Sequence, residues 1–203
     1  MIHLRKFNWS DLKVYTDLYN KINSFDFTAR RYDQGSTRKI LSLPGADPEL
    51  NLMLAYWNDE LVGFTYTARE ESIKRVVLTG GVINQYQHRG IGRSLLISAL
   101  EDIDLCSGYV CHVQTGERQK ELVALLKSLD FYSVTEYSTM LLKTPAMMHI
   151  RNPSKYTIAT FQRGNDERLL TDVQNNVFKG SWGFAPNTID EITARMNLDR
   201  AEA

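Results

Sequence analysis

The sequence predicts an α+β (α/β three-layer) domain followed by a partial repeat of its opening. β-rich runs and apolar helical stripes alternate in an order that is neither a chain of βαβ units nor all-β. Two of the β-rich runs are joined by Asn58-Asp59-Glu60, which has the composition and length of a hairpin loop. Residues 166–175, DERLLTDVQN, repeat the Asp, Thr, Asp and Asn positions of residues 11–20, DLKVYTDLYN.

Taken in order, residues 2–7 alternate apolar and polar side chains as a strand does. A helix follows behind the capping-type residue Ser10, with Leu12, Tyr15, Leu18, Tyr19 and Ile22 at helical spacing. Residues 24–48 mix Gly, Pro and charge around a short helical piece near 37–43, and a segment of that length is expected to border a substrate site. Residues 51–57, 61–67 and 75–82 are three β-rich runs of an antiparallel meander. The loop Gly90-Ile91-Gly92 then opens a helix whose Leu95, Leu96, Ala99, Leu100 and Ile103 form one apolar stripe. Gly108 ends it, residues 109–114 form another strand, and Leu122, Val123, Leu125, Leu126 and Leu129 mark a further helix. Residues 131–142 are expected to form the last strand.

Beyond Thr144 the text TPAMMHIRNPSK holds two prolines and no period, which predicts a linker. The expected organisation is a domain over 1–143, a linker over 144–155, and a partial second unit over 156–203. That unit comprises a strand near Tyr156, a helix, the loop Gly180-Ser181-Trp182-Gly183-Phe184, and a helix opened by Pro186-Asn187-Thr188 with Asp190 and Glu191 in its first turn. It has no glycine-rich loop of its own.

The chain has 203 residues, with 24 Lys+Arg against 24 Asp+Glu, so nothing in its balance calls for nucleic acid or an anionic membrane. Any anion must be held locally. No apolar run approaches the roughly 20 residues that cross a bilayer, and the expected location is cytoplasmic. Cys106 and Cys111 form no CxxC pair and are expected to be buried free thiols. His3, His88, His112 and His149 lack metal-ligand spacing, so no metal is expected.

Strand, Gln87-x-x-Gly90-x-Gly92, helix is a physical recipe for holding a diphosphate. Amides at a helix start lack internal partners and carry the positive end of the peptide dipole. Glycine lets phosphate oxygens approach the backbone, and His88, Arg89 and Arg93 bring donors to the same loop. Leu95 stands where a dinucleotide fingerprint needs a small residue, and Gly92-Arg93-Ser94 lacks the lysine of a Walker loop.

Val82-x-x-x-x-Gln87-x-x-Gly90-x-Gly92-x-x-Leu95-Leu96 resembles motif A of the GNAT acyltransferases. Val62-Gly63-Phe64 is similar to that family's second-to-third strand region, and Leu129-Asp130-Phe131 stands where its members have Leu-Gly-Phe. The tandem layout with the SWGFAPNT loop resembles two-domain members related to mycothiol synthase, with the second domain truncated. The resemblance implies the GNAT acyl-CoA N-acyltransferase fold, a bent mixed sheet with helices on both faces, whose fourth and fifth strands splay to receive a pantetheine arm. It implies acetyl-CoA, or another acyl-CoA, as cosubstrate, with Val82 on the arm and Gln87, His88, Arg89, Gly90, Ile91, Gly92, Arg93 and Ser94 around the pyrophosphate.

The implied reaction is direct attack of a small-molecule or peptidyl amine on the thioester in a ternary complex. It needs a base, a polarised carbonyl and a proton for the departing thiolate. Amides at the end of the 76–82 strand would polarise the carbonyl. The family's usual acid, a tyrosine four residues before the glycine of Leu-Gly-Phe, is Leu126 here, and the glycine is Asp130. Tyr132, Tyr137 or water would have to replace it. Thr79, His112, Glu70 and Glu71 are the candidate bases, and none stands out. A catalytically silent acyl-CoA-binding or regulatory module is the alternative. The second unit would act as a lid, extend the first sheet, or make a homodimer.

Overall fold

The computed structural model describes residues 1–23, 31–103, 108–138, 140 and 157–198. The chain divides into two compact units, Met1–Gln114 with Arg163–Ala203, and Thr115–Gln162. The first holds a five-stranded sheet in the order β1 (Ile2–Lys6), β2 (Leu52–Trp57), β3 (Glu60–Glu70), β4 (Arg75–Val82), β5 (Val110–Val113). The pairs β1–β2, β2–β3 and β3–β4 are antiparallel, and β4–β5 is parallel, so the sheet is mixed. The β2–β3 hairpin turns at Asn58 and Asp59, both at positive φ, as a two-residue loop with the twist of its strands requires.

Helix α1 (Leu12–Ile22) follows a single 3₁₀ turn, and α2 (Gln34–Leu41) and the short α3 (Pro48–Asn51) precede β2. The cap of the first turn is Asn8 rather than Ser10. The Asn8 side chain accepts from the Ser10 amide at 3.0 Å, and the Asp11 carboxylate accepts from the Asn8 amide at 2.9 Å, a reciprocal capping box. Tyr15 of α1 meets Phe64 of β3 edge-on at 5.2 Å and Phe7 at 5.8 Å, which seats this helix on one face of the sheet. At Gly81 a Cβ would lie 2.7 Å from Ile22, so glycine there lets α1 approach β4. Helix α4 (Ile91–Glu101) buries Ile91, Leu95, Leu96 and Ala99. Leu95 Cδ1 would stand 3.3 Å from a Cβ at Gly63, on the face opposite Phe64, so helices cover both faces.

Two helix pairs of the chain share their local geometry. Helices α6 (Glu167–Val177) and α7 (Ile189–Met196) begin and end 155 positions after α1 and α2, as 12 and 167, 22 and 177, 34 and 189, and 41 and 196 show. Asn20 Nδ2 donates to the Tyr32 carbonyl at 2.7 Å and its Oδ1 accepts from the Tyr32 amide at 2.9 Å. Asn175 makes the same clasp with Asn187, at 2.9 and 2.8 Å. Thr188 caps α7, with Glu191 returning the bond in a capping box. Thr16 and Thr171 each donate to the carbonyl four residues back at 2.7 Å.

The second compact unit contains α5 (Lys120–Lys127). Its C-terminus closes at Asp130, φ 64°, where the Phe131 amide donates to the Leu126 carbonyl at 3.1 Å. Asp130 thus adopts the left-handed conformation that a glycine would supply. The strand expected over 131–142 does not form in its described part, residues 131–138 and 140. Alternation without a buried face fixes no register, and Tyr132 and Tyr137 are 82% and 70% exposed. Residues 157–162, at the predicted opening of the second unit, likewise form no strand. The linker expected over 144–155, Tyr156, Cys106 and His149 lie outside the described residues.

Candidate functional site

The site starts from a mismatch of strand lengths. Strand β5 pairs with β4 only as far as Val113 opposite Leu78, whereas β4 continues to Val82. The Ile83 amide donates to the Val62 carbonyl of β3 at 2.9 Å, and the Val110 amide donates to the Lys74 carbonyl at 3.0 Å. Backbone groups alternate sides along a strand, so even-numbered residues of β4 face the β5 side. Gly80 and Val82 therefore present main-chain groups to an edge that β5 no longer covers. Gly80 itself stands close to β3, since a Cβ there would lie 2.4 Å from the Phe64 carbonyl oxygen.

The glycine loop continues from that edge. A 3₁₀ turn (Asn84–Tyr86) leads to Gln87, whose Nε2 donates to the Val82 carbonyl and to Asn84 Oδ1, both at 3.2 Å. Gln87 thus braces the loop to the strand. His88 and Gly90 take positive φ, 61° and 81°, and turn the chain so that α4 starts at Ile91. The Ser94 amide closes the first turn on the Gly90 carbonyl at 3.0 Å. The amides of Ile91 and Gly92 precede that bond and have no acceptor among the described residues. A Cβ built at Gly90 would meet no atom within 4 Å, so the space beside the loop at Gly90 is open. Open space, orphan amides and the positive end of α4 suit an anion such as a diphosphate.

The side chains around the loop divide. His88 and Arg93 are exposed beside it, and Ser94 is half-buried in the first turn of α4. Arg89 does not extend toward the loop amides. Its guanidinium lies over the Trp57 ring at 5.2 Å and the Tyr86 ring at 5.3 Å, so cation–π packing against the hairpin end holds it.

The candidate bases also separate. Glu70 pairs with Arg75, and Glu71 accepts from the Tyr109 hydroxyl. Thr79 lies exposed on β4. His112 lies half-buried on β5, opposite Val77, on the same sheet face as Thr79. Burial first and the nearby Arg75 charge second hold its imidazole below its ordinary pKa, while Glu70 pulls the other way. Burial pushes the Cys111 thiol up to about 11. Leu126 is buried, and Tyr132 and Tyr137 belong to the Thr115–Gln162 unit.

Sequence reasoning missed Trp182, whose indole stacks on His112 at 5.5 Å and 4°. It also missed Gly80, although two adjacent glycines inside a strand are a signal of close backbone approach. No helix among the described residues is long and apolar enough to cross a membrane, and no cluster of metal-binding side chains occurs among them.

No family model matches the sequence, and no curated protein matches it. Solved structures do. A GCN5-related N-acetyltransferase from Sphaerobacter thermophilus superposes with a TM-score of 0.67 at 15% identity, over 99% of this chain and 64% of its own. The yncA protein of Salmonella typhimurium, solved with acetyl-CoA, gives 0.52 at 19% identity, over 66% and 81%. The ribosomal-protein-S18-alanine N-acetyltransferase of Escherichia coli gives 0.52 at 17%, over 66% and 80%. These likenesses show the fold: a five-stranded mixed sheet with helices on both faces, as in the GNAT acyl-CoA N-acyltransferases.

Proposed function

We propose that this chain is an N-acyltransferase that takes acetyl-CoA, or another acyl-CoA, and transfers its acyl group to a small-molecule or peptidyl amine. One observation carries the proposal: the uncovered edge of β4 at Gly80 and Val82 runs directly into orphan amides at the start of α4. An amide-rich thioester arm ending in a diphosphate matches both halves of that surface. The yncA likeness, in a structure that holds acetyl-CoA, supports the same choice.

In this proposal the main chain of Gly80 and Val82 receives the arm. The loop from Gln87 to Ser94 receives the diphosphate, with the backbone of Gly90, Ile91 and Gly92 as donors and His88 and Arg93 as flanking cations or dipoles. Gln87 holds the loop to Val82, and Arg89 contributes its backbone while its guanidinium anchors the loop to Trp57 and Tyr86. An amide at the β4 edge polarises the thioester carbonyl, and solvent supplies the thiolate proton. In this reading the protein acts in the cytoplasm, with the catalytic unit within 1–143 and a second copy of its opening after it.

Titration calorimetry with acetyl-CoA, followed by thiol release over a panel of amines, tests this. Saturable binding and amine-dependent release above hydrolysis are expected, and absence of binding sinks the proposal. Leucine at position 126, where the resemblance implies a tyrosine acid, favours a second reading, a silent acyl-CoA sensor. Binding without release across the panel would select it.

A further inference from the structure

On the sheet face that carries α1, β4 offers Arg75, Val77, Thr79 and Gly81 in turn. Ile22 of α1 covers Gly81 at one end. At the other end His112 stands opposite Val77, covered by Trp182 from the loop between α6 and α7. Gly183 of that loop lies against Arg75, whose Nη1 would be 2.8 Å from a Cβ there. Between these two covers lies about 13 Å of strand, four residues at about 3.3 Å each, with exposed Thr79 as its floor. The slot sits beside the uncovered edge of β4 at Gly80. His112 is the last β5 side chain on this face before the strands part. Among the described residues its ring nitrogens have no hydrogen-bond partner. The stack on Trp182 fixes the plane of the ring and leaves its nitrogens at the edge.

We propose that His112 is the proton acceptor for the amine in this slot, and that Trp182, delivered by the repeated helix pair, is the positioning residue that sets its plane. The inference rests on the acyl-transfer proposal. His112 takes one proton from the substrate ammonium, and the freed nitrogen lone pair forms the C–N bond as the C–S bond breaks. The surplus proton then left on nitrogen passes through water to the departing sulfur. Among the described residues the charged groups facing His112 are Arg75 on β4 and Glu70 on β3, which pair with each other, while the covering loop presents the uncharged indole. Their balance, with burial, keeps the imidazole neutral near neutral pH and able to accept a proton.

The test follows thiol release from acetyl-CoA, with an amino sugar, a polyamine and an alanine-initiated peptide, between about pH 5.5 and 9, for wild type and H112Q. Calorimetry of acetyl-CoA accompanies each. Equal acetyl-CoA affinity is expected, with kcat of H112Q lowered about 10²–10⁴-fold at about pH 7 and recovering at alkaline pH, where the amine sheds its own proton. An H112Q enzyme with wild-type kcat and the same acid limb overturns the role of His112 and leaves acyl transfer standing. A wild type that binds no acetyl-CoA overturns both. Fluorescence gives a readout independent of turnover: protonation of a stacked imidazole quenches indole emission. The wild-type minus H112Q difference should fall with a midpoint below 6.5, and a flat difference overturns the stacked arrangement.

Discussion

Replacing Gly90 separates backbone strain from phosphate recognition. The residue sits at φ 81° with no atom within 4 Å of an added Cβ, so Gly90→Ala meets no clash and costs only the left-handed conformation, about 1–2 kcal/mol. Gly90→Glu adds a carboxylate on the open side of the loop. At about 6 Å from two phosphate charges, with an effective dielectric of about 40, repulsion is about 3 kcal/mol, or about two decades in Kd. The difference between the variants therefore isolates the charge. Acetyl-CoA titrated calorimetrically into both, with folding checked by circular dichroism, should show weaker binding by Gly90→Glu than by Gly90→Ala by about 100-fold, shrinking as salt is raised. Equal affinities in folded variants would refute placement of the diphosphate at this helix start.

Asn20→Ala removes two side-chain bonds to the entrance of the next helix and Asn175→Ala removes three, and each should cost about 1–3 kcal/mol in urea unfolding. A loss below about 0.5 kcal/mol at either site would show that the clasp is ornamental there. Gly80→Ala forces a Cβ to within 2.4 Å of the Phe64 carbonyl oxygen and should destabilise by about 1–3 kcal/mol, read as a drop in Tm. Hydrogen bonding from Arg5 first, and from the Asn8 amide, holds the Asp11 carboxyl below its ordinary 3.8 despite opposing burial. A depressed carboxyl stabilises the fold above its unfolded value. That contribution is lost as pH falls below 3.8 toward the folded pKa, so Asp11→Asn should flatten the acid limb of the stability curve.

Local patterns were legible wherever one stretch of sequence decides them. Asn58-Asp59 can take the positive φ of a tight hairpin, and Leu95, Leu96 and Ala99 mark the buried side of α4 whatever lies beyond it. Gly90, at positive φ with open space beside it, announces a helix start. What failed depended on partners distant in the chain. The rings of Trp57 and Tyr86 beneath the Arg89 guanidinium are neighbours that the local sequence does not name. Ser10 is a plausible cap in isolation, but Asn8 and Asp11 form the reciprocal pair. The parting of β5 from β4 after Val113 was implied by the resemblance alone, since the strand-like text CHVQ carries no mark of losing a neighbour. Trp182 stood in a loop noticed only for its resemblance, with nothing in its surroundings to name His112 as its contact.

The clasp made by Asn20, and again by Asn175, lies wholly inside each helix pair, so the bend between the helices is specified without help from whatever they rest on. Leu18, 4% exposed, is buried in the first pair; its counterpart Val173 is 49% exposed, and Val177, the counterpart of Ile22, is 67% exposed. A hinge held from within can therefore be mounted twice in one chain. In the first mounting the outer row serves as an adhesive, and in the second it faces water while the tip of the hinge carries an indole to the strand edge.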